Sequence, residues 1–319
     1  MVAFRSGGFG AVLVIEFATL DDVRYGTAQQ VSPTIRRVIA DNPSKFTYRG
    51  TGTYIIGTGD VVVIDPGPLL DTHREALASA LVGERVRAIL VTHCHSDHSP
   101  LAVWMSAEWG APTIAFGPHP RPELEVSEPP DDGVEIEEST DYDFTPTLLA
   151  ADGDVVVDDW GMRFTAVHTP GHTSNHMCWA FDGEGALFTG DHVMGWSTTV
   201  VSPPDGDMAA YVESLRRVAA RSDEVLWPTH GPPRRDASVF VQALVEHRLD
   251  RERGVLELVR AGVTTIPDLV AVLYADVREE LHKPAGRSVW GHLVKLVDEG
   301  YVAVEGGGPM LLDSAVGPT

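Results

Sequence analysis

Six residues, His93-Cys-His-Ser-Asp-His98, constrain this chain more than any other stretch, because four of them are potential metal ligands and an apolar, β-rich run precedes them. A strand over Val86–Thr92 would deliver them onto a tight loop at its end. Side chains at i and i+2 of an extended segment point the same way, so His93 and His95 can grip one ion. Asp97 and His98 then turn toward a second position as the chain enters a helix beginning near Pro100. A solubilising loop or a tag remnant would have no partners elsewhere. This chain has three in turn-rich settings: His172 in Thr169-Pro-Gly-His-Thr, Asp191 in Phe188-Thr-Gly-Asp and His230 in Trp227-Pro-Thr-His-Gly. Each follows a run able to be a strand (Met162–His168, Ala186–Thr189, Glu224–Trp227) and sits among loop formers, so four segments can converge at one sheet edge.

The ordered motifs HCHSDH, TPGHT, FTGD and PTHG, with Val61-Val-Val-Ile-Asp-Pro-Gly67 before them, resemble those of the metallo-β-lactamase-fold hydrolases. The likeness covers roughly residues 50–232. It implies that His93, His95 and His172 hold one metal, that Asp97, His98 and His230 hold a second, and that Asp191 bridges both. Asp65 fits the family's carboxylate that orients a ligand without binding metal. The implied cofactor is two divalent ions: Zn²⁺ first, with Mn²⁺ or Fe²⁺ accepting the same N/O donors. The implied nucleophile is a metal-bridging hydroxide, since coordination lowers the pKa of water from about 15.7 toward about 7. Asp97, beside it, is the candidate catalytic residue that orients it and accepts its proton.

The fold expected is α+β, a four-layer αββα sandwich over residues 1–245 followed by a small winged-helix-like domain over 246–319. Thr53–Ile56 and Val61–Ile64 read as paired strands around a Gly57-Thr-Gly-Asp60 turn. Helices are expected over Thr72–Val82, with Asp71 as N-cap, over Pro100–Trp109 and over Met208–Ala220. Beyond His230 the pattern becomes helical: Ala237–Ala261, Thr265–Tyr274 with Pro267 in its first turn, and Ser288–Glu299. A hairpin of Gly300–Glu305 with Pro309–Leu312 completes helix–helix–helix–hairpin. Together with the motif around Leu281-His-Lys-Pro284, this resembles the branch with a winged-helix tail, whose animal mitochondrial members are endoribonucleases. His282 and Lys283, with Arg287 nearby, are candidate substrate contacts.

A net charge of −22 disfavours anionic partners such as DNA or a membrane surface. From residue 247 onward, eight Lys or Arg against eleven Asp or Glu leave the tail acidic as well, against the basic stripe of a nucleic-acid reader. The tail is therefore expected to wall the substrate cleft or to form a subunit contact, which keeps a homo-oligomer open. The acidic segment Glu123–Asp143 reads as a solvated excursion. Two cysteines do not make a disulfide framework. Alternation turns Cys94 away from His93 and His95, and Cys178 reads as a core residue. No signal peptide or transmembrane stretch is evident, so a cytoplasmic location is expected, with the first twenty residues as a poorly ordered extension.

The function expected is a dinuclear metal-dependent hydrolase of a small ester, thioester or related acyl compound. The alternative is a metal-dependent endoribonuclease or phosphodiesterase acting on single-stranded RNA. Ranked below are a non-enzymatic binding protein and an iron-dependent, oxygen-using relative. The bridging Asp191 argues against β-lactam hydrolysis, because the resemblance implies that true lactamases lack it.

Overall fold

In the computed structural model, residues 15–121, 139–275 and 282–319 are described. Strands β1 (Ala28–Gln30), β2 (Ile35–Ile39), β3 (Gly52–Thr58) and β4 (Asp60–Ile64) form an antiparallel meander. Helix α1 (Asp71–Ala80) crosses to β5 (Arg85–Leu90), which runs parallel to β4, and α2 (Pro100–Trp109) leads to β6 (Thr113–Ala115). With β7 (Leu148–Leu149) these make a seven-stranded mixed sheet whose spatial order is the sequence order. A second sheet contains β8 (Val155–Asp159), β9 (Met162–His168), β10 (Met177–Phe181) and β11 (Ala186–Gly190), all antiparallel. Helix α3 (Met208–Ala219) then returns the chain to β12 (Val225–Pro228), parallel to β11. The C-terminal part comprises α4 (Ala237–Arg260), α5 (Ile266–Leu273), α6 (His282–Asp298) and an antiparallel hairpin of β13 (Val302–Val304) and β14 (Val316–Pro318).

The strands are apolar on both faces because both faces are buried. The period-two alternation of a strand sends successive residues into different cores. In β3, Tyr54 and Ile56 enter the core between the sheets, while Ile55 faces the helices α1 and α2. In β10, Met177, Trp179 and Phe181 point inward, and Cys178 and Ala180 pack outward beneath α3 and α4. The result is helix, sheet, sheet, helix, the expected αββα sandwich. A further core joins Val255 and Val259 of α4 to Leu269 of α5, Val289 and Leu293 of α6, and Val302 and Val316 of the hairpin. Helix α4 is one continuous helix, with Phe240–Val245 in the sandwich and Val255–Val259 in this C-terminal core, so residue 245 lies in its interior. No helix among the described residues is long and apolar enough to cross a membrane.

Four expectations need correction. Asp71 does not cap α1: Leu70 occupies the cap position without a side-chain bond, and the Asp71 carboxylate pairs with Arg74 at 2.9 Å. Helix α6 begins at His282, six residues before Ser288, because Ala285, Gly286 and Arg287 are buried as part of its inner face. The second hairpin strand is Val316–Pro318, since Met310 is held in the C-terminal core, where its carbonyl accepts a hydrogen bond from Trp290 Nε1 at 2.9 Å. Residues 15–20 pack rather than trail: Ile15 is buried, Phe17 meets Phe240 edge-on, and Ala18 N donates to Gly195 O at 2.9 Å. Residues 1–14, Leu281 and most of the acidic segment Glu123–Asp143 lie outside the described residues. The last part of that segment packs on the histidine loop, where Ser96 N donates to Ser139 O at 2.7 Å.

Candidate metal centre

Strands β4 and β5 run in one direction in the first sheet, as do β9, β11 and β12 in the second, and the segments that follow them converge on one site. Asp65 follows β4, the loop 93–98 follows β5, His172 follows β9, Asp191 follows β11 and His230 follows β12. The donor atoms form three overlapping groups, each with all atoms within 4.8 Å of one another: His93, His95 and His172; His93, His98 and Asp191; Asp97, His98 and His230. All seven side chains are buried. Three donors about 2.0–2.2 Å from a common ion necessarily lie this close together.

Hydrogen bonds on the far side of each ring aim the near side at the centre. His98 Nδ1 donates to Asp65 Oδ2 at 3.0 Å, and His172 Nδ1 donates to Val200 O at 2.8 Å. His230 Nδ1 donates to Gly50 O at 3.3 Å. Thr92 Oγ1 donates to Asp65 Oδ2 at 2.8 Å and can therefore accept from His93 Nδ1 at 3.1 Å. In these four residues the Nε2 atom faces the centre. His95 presents Nδ1, which sits 3.0 Å from His93 Nε2. His98 Nε2 and Asp191 Oδ1 make no hydrogen bond although both are buried, as expected of atoms placed for a cation.

Asp65 is wholly buried and organises the site without reaching its centre. Its Oδ1 accepts from Thr92 N at 2.8 Å, and its Oδ2 also accepts from Thr229 Oγ1 at 2.9 Å. The loop carrying His230 is fixed from the opposite sheet by Gly52 N donating to Thr229 O at 2.9 Å and Arg37 Nη1 donating to Gly231 O at 3.1 Å. Gly52 permits this approach, since a Cβ there would lie 3.0 Å from Thr229 O.

Electrostatics divide the histidines. Burial holds His93, His95 and His172 below the usual imidazole range, leaving neutral rings suited to ligation. Burial opposes charge at His98 and His230 too, but nearby carboxylates outweigh it. Asp97, Asp191 and Asp65 hold His98 well above the usual range, and Asp191 with Asp97 lifts His230 to about 10. Asp97 and Asp191 lie below the carboxylate range, because His98 and His230 overcome the opposing effect of burial. Such a group of buried carboxylates demands positive charge, and divalent ions supply it more fully than protons. The donor set, N and O with no thiolate, fits two such ions. His93, His95 and His172 would hold one, Asp97, His98 and His230 the other, with Asp191 between them.

A pocket opens over the centre, and besides the ligands it is lined by Lys45, Phe46, Met194, Trp196 and Val200. These residues carried no signal in the sequence, nor did Thr51, whose Oγ1 donates to Asp97 Oδ2 at 2.8 Å. His282 and Lys283 are not among the lining residues. They stand on the first turn of α6, where His282 Nε2 donates to Tyr274 O at 3.1 Å. Cys94 turns away from the centre, accepting from Asn175 Nδ2 at 3.0 Å, and both cysteines are buried and free.

Comparison with known proteins agrees with this geometry. Residues 48–230 match the metallo-beta-lactamase superfamily and residues 265–308 the beta-lactamase associated winged helix domain. The lactamase-like protein adaB of Aspergillus niger is 30% identical, the match covering 92% of this chain and 90% of that protein. The atrochrysone carboxyl ACP thioesterase of Aspergillus chevalieri is 29% identical over 87% of this chain and 85% of its own. Among solved structures, a beta-lactamase domain protein from Burkholderia ambifaria superposes with a TM-score of 0.73 at 20% identity, covering 93% of this chain and 96% of its own.

Proposed function

Because the chain belongs to the metallo-beta-lactamase superfamily of metal-dependent hydrolases, we propose that it is a dinuclear, zinc-dependent hydrolase of acyl thioesters. The observation that carries the reading is the trio of interlocking ligand groups, in which the middle one joins Asp191 to His93 of one end group and His98 of the other. Relatives named atrochrysone carboxyl ACP thioesterase, 27–30% identical, support a thioester as the bond cleaved. When bound, the two ions supply an activated water and a Lewis-acid contact for the carbonyl oxygen.

The chain's own residues do the rest. Thr51 fixes the Asp97 carboxylate. Held below the usual carboxylate range, that group stays ionised and is placed to accept a hydrogen bond from the attacking water and orient it. Phe46, Met194, Trp196 and Val200 offer an apolar wall to an acyl chain and exclude water from it. Hydrolysis adds the water oxygen to the carbonyl carbon, breaks the C–S bond, and yields a carboxylate and a thiol. A thiol pKa of about 8.5 lets the thiolate depart without a proton donor.

The test is hydrolysis of an acyl-thioester panel, read by released thiol, beside a labelled single-stranded RNA, with zinc- and manganese-loaded protein and metal counted by mass spectrometry. Thioester cleavage with two ions per chain is expected, falling at least 100-fold in Asp97→Ala. RNA cleavage that depends on Asp97, without thioester turnover, would overturn the assignment.

A further inference from the structure

Arg248 lies in the middle of α4, away from the cavity lining, and is only 3% exposed. A buried arginine needs a reason, because its charge is costly to remove from water unless it is satisfied. Its Nη2 donates to the backbone carbonyl of Thr199, and its guanidinium carbon lies 5.3 Å from the centre of the Tyr211 ring. Thr199 is a junction. Its Oγ1 donates to the carbonyl of Asp191 at 2.7 Å and to that of His192 at 3.1 Å. The next residue, Val200, provides the carbonyl that accepts from His172 Nδ1 at 2.8 Å. One guanidinium thus anchors a two-residue segment that fixes the backbone of one ligand and the ring of another. From the C-terminal side, α6 presses on the same segment: a Cβ at Gly291 would sit 3.1 Å from Val201 O and 3.8 Å from Pro203.

We propose that Arg248 is a positioning residue for the metal centre, holding the Thr199–Val200 segment so that Asp191 and His172 are preset for metal. It touches neither substrate nor metal and acts through backbone carbonyls. One turn along α4, Arg251 is buried to a similar degree, at 7%, but donates to Leu273 O in the C-terminal domain at 2.7 Å. It supplies a matched control: a buried arginine on the same helix whose hydrogen bond goes to the C-terminal domain instead of the Thr199–Val200 segment. The proposal rests on the metal-centre reading given above.

The experiment compares zinc affinity, by competition with a chromophoric chelator, in the wild type, Arg248→Met, Arg251→Met and Thr199→Val, together with thermal melting of the metal-free proteins and kcat and KM. Removing partners that orient ligands typically weakens metal binding 10–100-fold. Arg248→Met and Thr199→Val are each expected to lose affinity in that range, with kcat falling more than KM rises. Arg251→Met should bind zinc within threefold of wild type, whatever its melting temperature. Equal zinc losses in Arg248→Met and Arg251→Met would reduce Arg248 to general packing and overturn the proposal. If Arg248→Met does not fold, Thr199→Val decides: wild-type zinc affinity there breaks the relay. A wild type that binds no metal would instead sink the metal-centre reading, which keeps the two failures apart.

Discussion

Asp65→Asn tests the organisation of the site most sharply, because it changes one proton pattern and almost no volume. The carboxylate accepts four hydrogen bonds, from Thr92 N, Thr92 Oγ1, Thr229 Oγ1 and His98 Nδ1, at 2.8–3.0 Å. An amide has only one accepting oxygen. If that oxygen stays on Thr92 N, the new NH₂ faces His98 Nδ1, and the two hydroxyls can rotate to accept from it. His98 can accept only by moving its proton to Nε2, the atom it needs for the metal. If the amide flips, NH₂ meets the Thr92 N–H and a buried donor is left unmatched. Losing the charge assistance of two bonds, at about 1.5–3 kcal/mol each and partly compensated, gives an expected destabilisation of about 2–4 kcal/mol for the metal-free protein. The wrong tautomer should weaken the ion held by Asp97, His98 and His230 by about 10–100-fold and leave the ion held by His93, His95 and His172 closer to normal. Urea unfolding gives the first number, and a two-site zinc titration gives the second. Two ions bound to Asp65→Asn at wild-type affinity would refute the argument.

The metal-free protein should lose stability on acidification. Burial pushes His192 down to about 3 and holds His93, His95 and His176 well below their usual range, so the unfolded chain takes up protons near pH 6.5 that the fold refuses. For His192 alone the loss between pH 6.5 and 5 is about 1.6 kcal/mol. His98 and His230 act in the opposite sense: their contribution is complete below about pH 6.5 and fades as pH rises through the folded value, about 10 for His230. The downward-shifted set is larger, so melting temperature should peak near neutrality, and a melting temperature that rises from pH 7 to pH 5 would contradict this. Gly190→Ala should destabilise by about 2–4 kcal/mol, since φ is +51° and a Cβ there would lie 2.7 Å from His176 Nε2 and 2.8 Å from Thr92 Cβ. A urea midpoint unchanged from wild type would show that the pocket around Gly190 can relax.

The ligand set was legible because its chemistry is local. His93 and His95 obey strand alternation, and His172, Asp191 and His230 each follow a strand and border a glycine. Layer order was legible for the same reason, since the apolar runs of β3, β4 and β10 alternate between two cores. What supports the ligands was not legible. Thr51, Thr92 and Thr229 look like any strand-end threonine until folding brings Thr51 to Asp97 across 46 positions and Thr229 to Asp65 across 164. Arg248 reads as a solvated helix residue because nothing local shows that α6 and the segment after β11 will cover it. His282 and Lys283 draw attention by their closeness in sequence to Arg287, and at the start of α6 His282 donates to a backbone carbonyl of its own domain.

The bond between Asp65 and Thr229 also says when metal can be taken up. Its two ends belong to different sheets, and closing a loop of that length is a slow, entropy-opposed event that requires most of the chain between them to be in place. His230, on the same loop as Thr229, reaches its position only with that closure. Each ion's full ligand set draws residues from both halves, so tight zinc capture during refolding would act as a clock for the moment the sheets meet.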